Sequence, residues 1–141
     1  MYRNIINNLA KWYEEDSNKV LMLKGARGVG KTWVIEDFAS AFFDATVVID
    51  LKKEKKSQDV LQDKDSIQLY VEEKVDKNKK NVLVVFDEVQ LKSDIKSILE
   101  YAMNVMGKYR VCLVASYVGE LVGESNYIDS ISSFTLAPMT F

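Results

Sequence analysis

Histidine is absent from this 141-residue chain, and there is a single cysteine and a single proline. Without histidine, neither a histidine-based catalytic triad nor a histidine metal site can be assembled. One thiol cannot form an internal disulfide. Cys112 stands in the apolar run Val111-Cys112-Leu113-Val114, which reads as core rather than as a reactive group. No apolar run approaches the length of a membrane span, and the N-terminus mixes Asn and Lys among its apolar residues instead of forming a secretory leader. These features point to a cytoplasmic protein with no membrane partner. Charge of one sign is lacking too. The net charge is -2, so no basic field indicates nucleic acid as a partner. What is present is an ordinary globular composition, 48% apolar and 28% charged, in a length suited to one domain.

The six glycines are concentrated where they carry meaning. Gly25-Ala26-Arg27-Gly28-Val29-Gly30-Lys31-Thr32 fits the pattern Gly, four residues, Gly, Lys, Ser or Thr. Gly25, Gly28 and Gly30 allow positive φ and close backbone approach to a ligand, so that successive amides can form an anion nest. A helix opening at about Gly30 adds unpaired amide donors and the positive end of its dipole. Lys31 would supply a point charge to β- and γ-phosphates, and the Thr32 hydroxyl would be a ligand to magnesium. The candidate cofactor contacts are therefore Gly25, Ala26, Arg27, Gly28, Val29, Gly30, Lys31, Thr32 and Trp33. The apolar run 20–24 before the loop reads as a strand and the stretch 32–40 after it as a helix, which is the context the motif needs; the alternative is a chance match in a surface turn.

A second motif lies downstream. Residues 82–86 form an apolar strand that ends in Asp87-Glu88, with apolar side chains on both faces, as in a parallel strand covered by helices. Asp87 would emerge at the carboxyl edge of the sheet, where open α/β sheets bind ligands, and would hold the magnesium ion directly or through water. Glu88 would orient or deprotonate an attacking water. That additional carboxylate favours hydrolysis over phosphoryl transfer to an acceptor molecule. A strand over 109–115 delivers Ser116 to the same edge. Ser116 can hydrogen-bond the γ-phosphate or the attacking water, and it can equally cap the next turn. The catalytic candidates are thus Glu88, Lys31 and Ser116; the metal candidates are Thr32 and Asp87.

Elsewhere, Tyr2, Ile5, Ile6, Leu9, Trp12 and Tyr13 recur at helical spacing, predicting a helix over 2–16. Trp12 and Tyr13 read as core, or as a border for an adenine ring. The post-loop helix runs to near Asp44, and a β-branched strand spans 45–51. Asp65 with Gln68 resembles a capping box for a helix over 66–77. The face Leu91, Ile95, Ile98, Leu99, Ala102, Met103 and Met106 predicts another helix, stopped by Gly107. Residues 133–137 read as a fifth strand. The lysine clusters 52–56 and 77–80 read as solvated surface.

The stretches LMLKGARGVGKTWVIEDFA, VLVVFDEVQ, LVASYVGELV and FTLAPMTF together resemble a bacterial and archaeal group of AAA+ type P-loop ATPases. The resemblance covers essentially the whole chain, with Lys31, Thr32, Asp87, Glu88, Gln90 and Ser116 at matching positions. It implies a three-layer αβα sandwich around a parallel five-stranded sheet of order 5-1-4-3-2, and Mg-ATP hydrolysis coupled to a mechanical or regulatory task. It further implies that residues 1–141 are the ATPase core, which in the group is followed by a lid and a C-terminal domain. Three departures stand out. Gly28 replaces a usual glutamine, Ala115-Ser116-Tyr117 replaces Gly-Ser-Ser, and the Gly-Arg common before the fifth strand is missing. With only Arg3, Arg27 and Arg110 in the chain, an arginine for the transition state falls to a second copy or another protein. The competing expectation is a nucleotide-gated switch that binds ATP and exchanges it for ADP with negligible turnover.

Overall fold

The computed structural model describes residues 2–15, 19–25, 30–52, 61–117 and 119–136, and the side chains of these from Ile5 onward. In chain order the elements are α1 (Tyr2–Glu15), β1 (Val20–Gly25), α2 (Lys31–Phe42), β2 (Ala45–Asp50), α3 (Lys64–Lys74) and β3 (Val82–Asp87). There follow a 3-10 turn (Val89–Leu91), α4 (Lys96–Asn104), β4 (Arg110–Ala115), a 3-10 segment (Ser125–Ser130) and β5 (Ile131–Leu136). All strand pairs are parallel, and the sheet order β2-β3-β4-β1-β5 is the expected one read from the other edge.

Alternation along the central strands divides the core in two, because successive side chains of a strand point to opposite faces. Leu21 and Leu23 of β1, with Leu83, Val85, Cys112 and Val114, meet Ile5, Leu9 and Trp12 of α1 and Val34, Ile35 and Phe38 of α2. Val20 and Met22, with Val84, Phe86 and Leu113, meet Ile67 and Val71 of α3 and Ile98 and Leu99 of α4. Every residue of β1 and β3 is buried, as a strand covered on both faces requires. The two edge strands bury residues more sparsely.

Several boundaries differ from expectation for local reasons. The cap of α3 is Asp63, whose carboxylate accepts from Ser66 N at 2.8 Å, and not Asp65. Gln68 does not reach back to a cap but donates to Glu72 one turn on. The helix expected from Leu91 to Met106 is shorter. A 3-10 turn ends at Leu91, Lys92 is extended, and helix begins only at Lys96 and stops at Asn104 with Val105 as its cap, so that Gly107, at φ 95°, lies in the turn beyond. β5 starts at Ile131, two residues before the expected strand, and Ala137 lies outside the described residues.

Candidate functional site

Parallel strands bring all five carboxyl ends to one edge of the sheet. Gly25 does not use the positive φ expected of it. It continues β1 in register with Leu136, and α2 starts at Gly30, whose φ of 87° turns the chain into the helix. No atom of the described residues lies within 4 Å of a Cβ built at Gly30, whose positive φ itself calls for glycine. Ala26, Arg27, Gly28 and Val29 lie outside the described residues. Lys31 and Thr32 open α2. Lys31 is buried, Thr32 is half-buried, and Trp33 is 58% exposed on the outer side of the first turn.

The two sequence motifs meet through one bond: Thr32 Oγ1 donates to Asp87 Oδ2 at 3.0 Å. Asp87 is the last residue of β3 and only 8% exposed. Among the described residues no lysine or arginine stands at ion-pair distance from it. Burial pushes its carboxyl above the ordinary range, the Thr32 hydroxyl opposes this, and the neighbouring charges of Glu88 and Asp50 add to the rise. A buried carboxylate bonded to a hydroxyl suits a hard divalent ion that takes its remaining ligands from water and phosphate. No group of three or more His, Cys, Asp or Glu gathers among the described residues, so the protein could provide only a small part of such a shell.

Glu88 follows at φ 62° and ψ 43°, the only described residue other than glycine with positive φ. Left-handed backbone is costly for a side chain with Cβ and persists where surrounding contacts impose it. Those contacts form a closed ring. Ser116 Oγ donates to Glu88 Oε1 at 3.0 Å, Gln90 Nε2 donates to Glu88 Oε2, and Ser116 N donates to Gln90 Oε1 at 3.0 Å. Ser116 thus reaches the Asp-Glu edge as expected, and its hydroxyl engages the glutamate. The role of Gln90 escaped the sequence reading, although its position two residues past Glu88 was visible.

Sequence reasoning also missed Lys24, a lone lysine inside an apolar strand. Its Nζ donates to Glu124 Oε1 at 2.8 Å, Glu124 Oε2 at 3.1 Å and the Gly119 carbonyl at 2.8 Å. Arg110 works at the far edge of the sheet. Its Nη1 and Nη2 donate to the carbonyls of Tyr13 and Trp12, both at 3.1 Å, and its guanidinium lies over both rings. Trp12 is fully buried and donates to the Lys19 carbonyl, so its ring is core and no border for a base. Cys112 is likewise buried, which holds its thiol protonated. The lysines 77, 79 and 80 stand exposed around a cavity of about 580 Å³ at that same far edge, away from the carboxylates.

The glycine-turned helix, the Thr32–Asp87 link and the place of β1 between β4 and β5 define a P-loop type α/β domain. A family model described as AAA domain matches residues 17–141, and the chain belongs to that family. Its fold is shared with the structure of C. elegans PCH-2, at a TM-score of 0.59 and 12% identity; the match takes in 96% of this chain and 39% of that one. No curated protein matches the sequence.

Proposed function

We propose that the domain, residues 1–141, binds Mg-ATP and hydrolyses it to ADP and phosphate, with the energy serving a mechanical or regulatory task. The Thr32–Asp87 hydrogen bond carries the reading, since it joins the end of the phosphate-loop motif to the end of the carboxylate strand. In it, Lys31 and the loop amides hold the phosphates, and Thr32 and Asp87 hold magnesium, which neutralises phosphate charge when bound. Glu88 accepts a proton from water as the water oxygen bonds to the γ-phosphorus and the bond to the ADP oxygen breaks. Ser116 and Gln90 aim that carboxylate. A cytoplasmic setting fits the lone thiol and the absence, among the described residues, of a helix able to cross a membrane.

One observation favours a second reading, a nucleotide-gated switch with negligible turnover. Both oxygens of Glu88 are already engaged, so the base is free only after that ring opens. Phosphate release from the full-length protein without an acceptor separates the two: steady turnover supports the ATPase, and one slow turnover the switch. Lys31→Ala should abolish ATP binding in calorimetry while leaving the fold intact. Glu88→Gln should bind ATP normally and turn over roughly 10²-fold more slowly, the scale of a lost general base. Unchanged affinity in the first variant, or an unchanged rate in the second, removes the corresponding role.

A further inference from the structure

We propose that Lys24 and Glu124 are a positioning pair, which fixes the connection from Ser116 to Glu124 against the strand that carries the phosphate loop and thereby keeps Glu88 aimed. The inference rests on the ATPase reading and names residues that the site's own motifs leave out. Lys24 is joined directly to Gly25, and both partners are nearly sealed from water, with side-chain exposures of 7% and 10%. The ammonium has three protons and uses all three, on the two oxygens of Glu124 and the carbonyl of Gly119. Glu124 Oε1 also accepts from Leu121 N at 3.1 Å. Lys24 therefore has no proton left for a phosphate, and its work is done on the protein.

The segment it grips is tied at two further points to the stretch that follows the carboxylate strand. Ser116, at its start, is held to Gln90 through its amide and to Glu88 through its hydroxyl. Near its end, the Val122 carbonyl accepts from Ile95 N at 3.0 Å, and a Cβ added at Gly123 would collide with Asp94 Oδ1. A chain of bonds therefore runs from Glu88 through Ser116 and its loop to Glu124, then through Lys24 to the loop strand. Two charges withdrawn from water add little net stability compared with apolar residues of the same volume, because desolvation offsets their attraction. What an ion pair supplies that apolar residues do not is direction: three donors and their acceptors meet in one arrangement only. Lys24 and Glu124 are accordingly positioning residues that act through Ser116, not catalytic ones.

The test uses the full-length protein and the double variant Lys24→Met/Glu124→Leu, which leaves no buried charge unpaired; single substitutions strand one and can simply unfold the domain. Expected are a cooperative melt, lowered by no more than the loss of partners for Leu121 N and the Gly119 carbonyl accounts for, a kcat at least tenfold lower, and a KM for ATP within about threefold. Amide exchange at Ser116 and Ile95, whose N–H bonds involve neither substituted side chain, should become at least tenfold faster. A folded double variant with unchanged kcat and unchanged exchange overturns the proposal. If the wild type itself releases no phosphate, hydrolysis fails as a reading, and the exchange rates alone still decide whether the pair fixes the loop. The reverse pair, Lys24→Glu/Glu124→Lys, should regain part of the lost protection at Ser116, which apolar packing alone would not predict.

Discussion

Asp87 shows how a residue suited to a ligand can cost the empty protein stability. Its folded pKa is raised, chiefly by burial, so near the ordinary carboxylate range the folded state holds a proton that the unfolded chain has released. Stability contributed by this group is therefore greatest at low pH. It falls as pH rises from the unfolded pKa through the raised folded one, and is lost above it. Asp87→Asn keeps an acceptor for Thr32 and removes the charge. The variant should melt above wild type at neutral pH, with the gap closing as pH is lowered through the folded pKa towards the unfolded one. Magnesium with ADP should raise the melting temperature of wild type and do so much less for the variant. Thermal melts at several pH values check both statements. A variant less stable than wild type at neutral pH would mean that the carboxylate is already satisfied by the protein. This penalty could not be read from sequence, which placed Asp87 at the sheet edge but not how deeply it is buried there.

At the scale of elements, α1 is held to the sheet by more than its apolar face. Arg110, the first residue of β4, donates two charge-assisted bonds to the carbonyls of Trp12 and Tyr13, where the last turn of α1 leaves acceptors unpaired. Arg110→Ala removes both bonds and the stacking on two rings, at a cost of about 2 kcal/mol. The urea midpoint should fall by that amount divided by the slope of the unfolding line. Arg110→Lys should recover only part of it, since an ammonium lacks the planar fork. No change in midpoint would mean that α1 is held by Ile5, Leu9 and Trp12 alone. The inner strands were legible because each of β1, β3 and β4 holds a continuous apolar stretch, as a sheet covered on both faces requires, while their order came from the family resemblance. The span 91–106 was misread as one helix because Val89, Ile95 and Ile98 are buried against the same face of the sheet, and periodicity does not register the break at Lys92. The spacing of Asp65 to Gln68 pointed to the wrong cap for the helix over 64–74, and only the backbone shows that Asp63 caps it. Ser132 and Ser133 hid the start of β5, since an edge strand keeps one polar flank and leaves the apolar pattern incomplete. Lys24 and Glu124 are 100 residues apart, a separation at which pairing is not visible in sequence pattern.

Across the whole molecule, the supply of cations decides how fast the site can run. Charge that spreads over the γ-phosphoryl oxygens in the transition state is met in many P-loop enzymes by an arginine from the same chain or from another, worth about 10³ to 10⁵ in rate. This chain has three arginines. Arg110 is committed to α1 at the start of β4, while Ser116 lies just past the other end of that strand, about 20 Å away at the rise of an extended chain. Arg27 belongs to the loop motif and lies outside the described residues. Arg3 is on α1, the element that Arg110 fastens to the far edge. Within one copy, Lys31 is then the cation best placed for the phosphates, which is sufficient for binding and weak for turnover. The 141-residue chain at low concentration should bind Mg-ATP but release phosphate very slowly. If the missing charge comes from a second copy, activity per chain should climb with protein concentration, over the same range in which sedimentation shows association. Mixing in chains with Arg3→Ala should then depress the rate per wild-type chain. Fast turnover by chains that sediment as monomers, independent of concentration, would show that one copy assembles the full charge on its own.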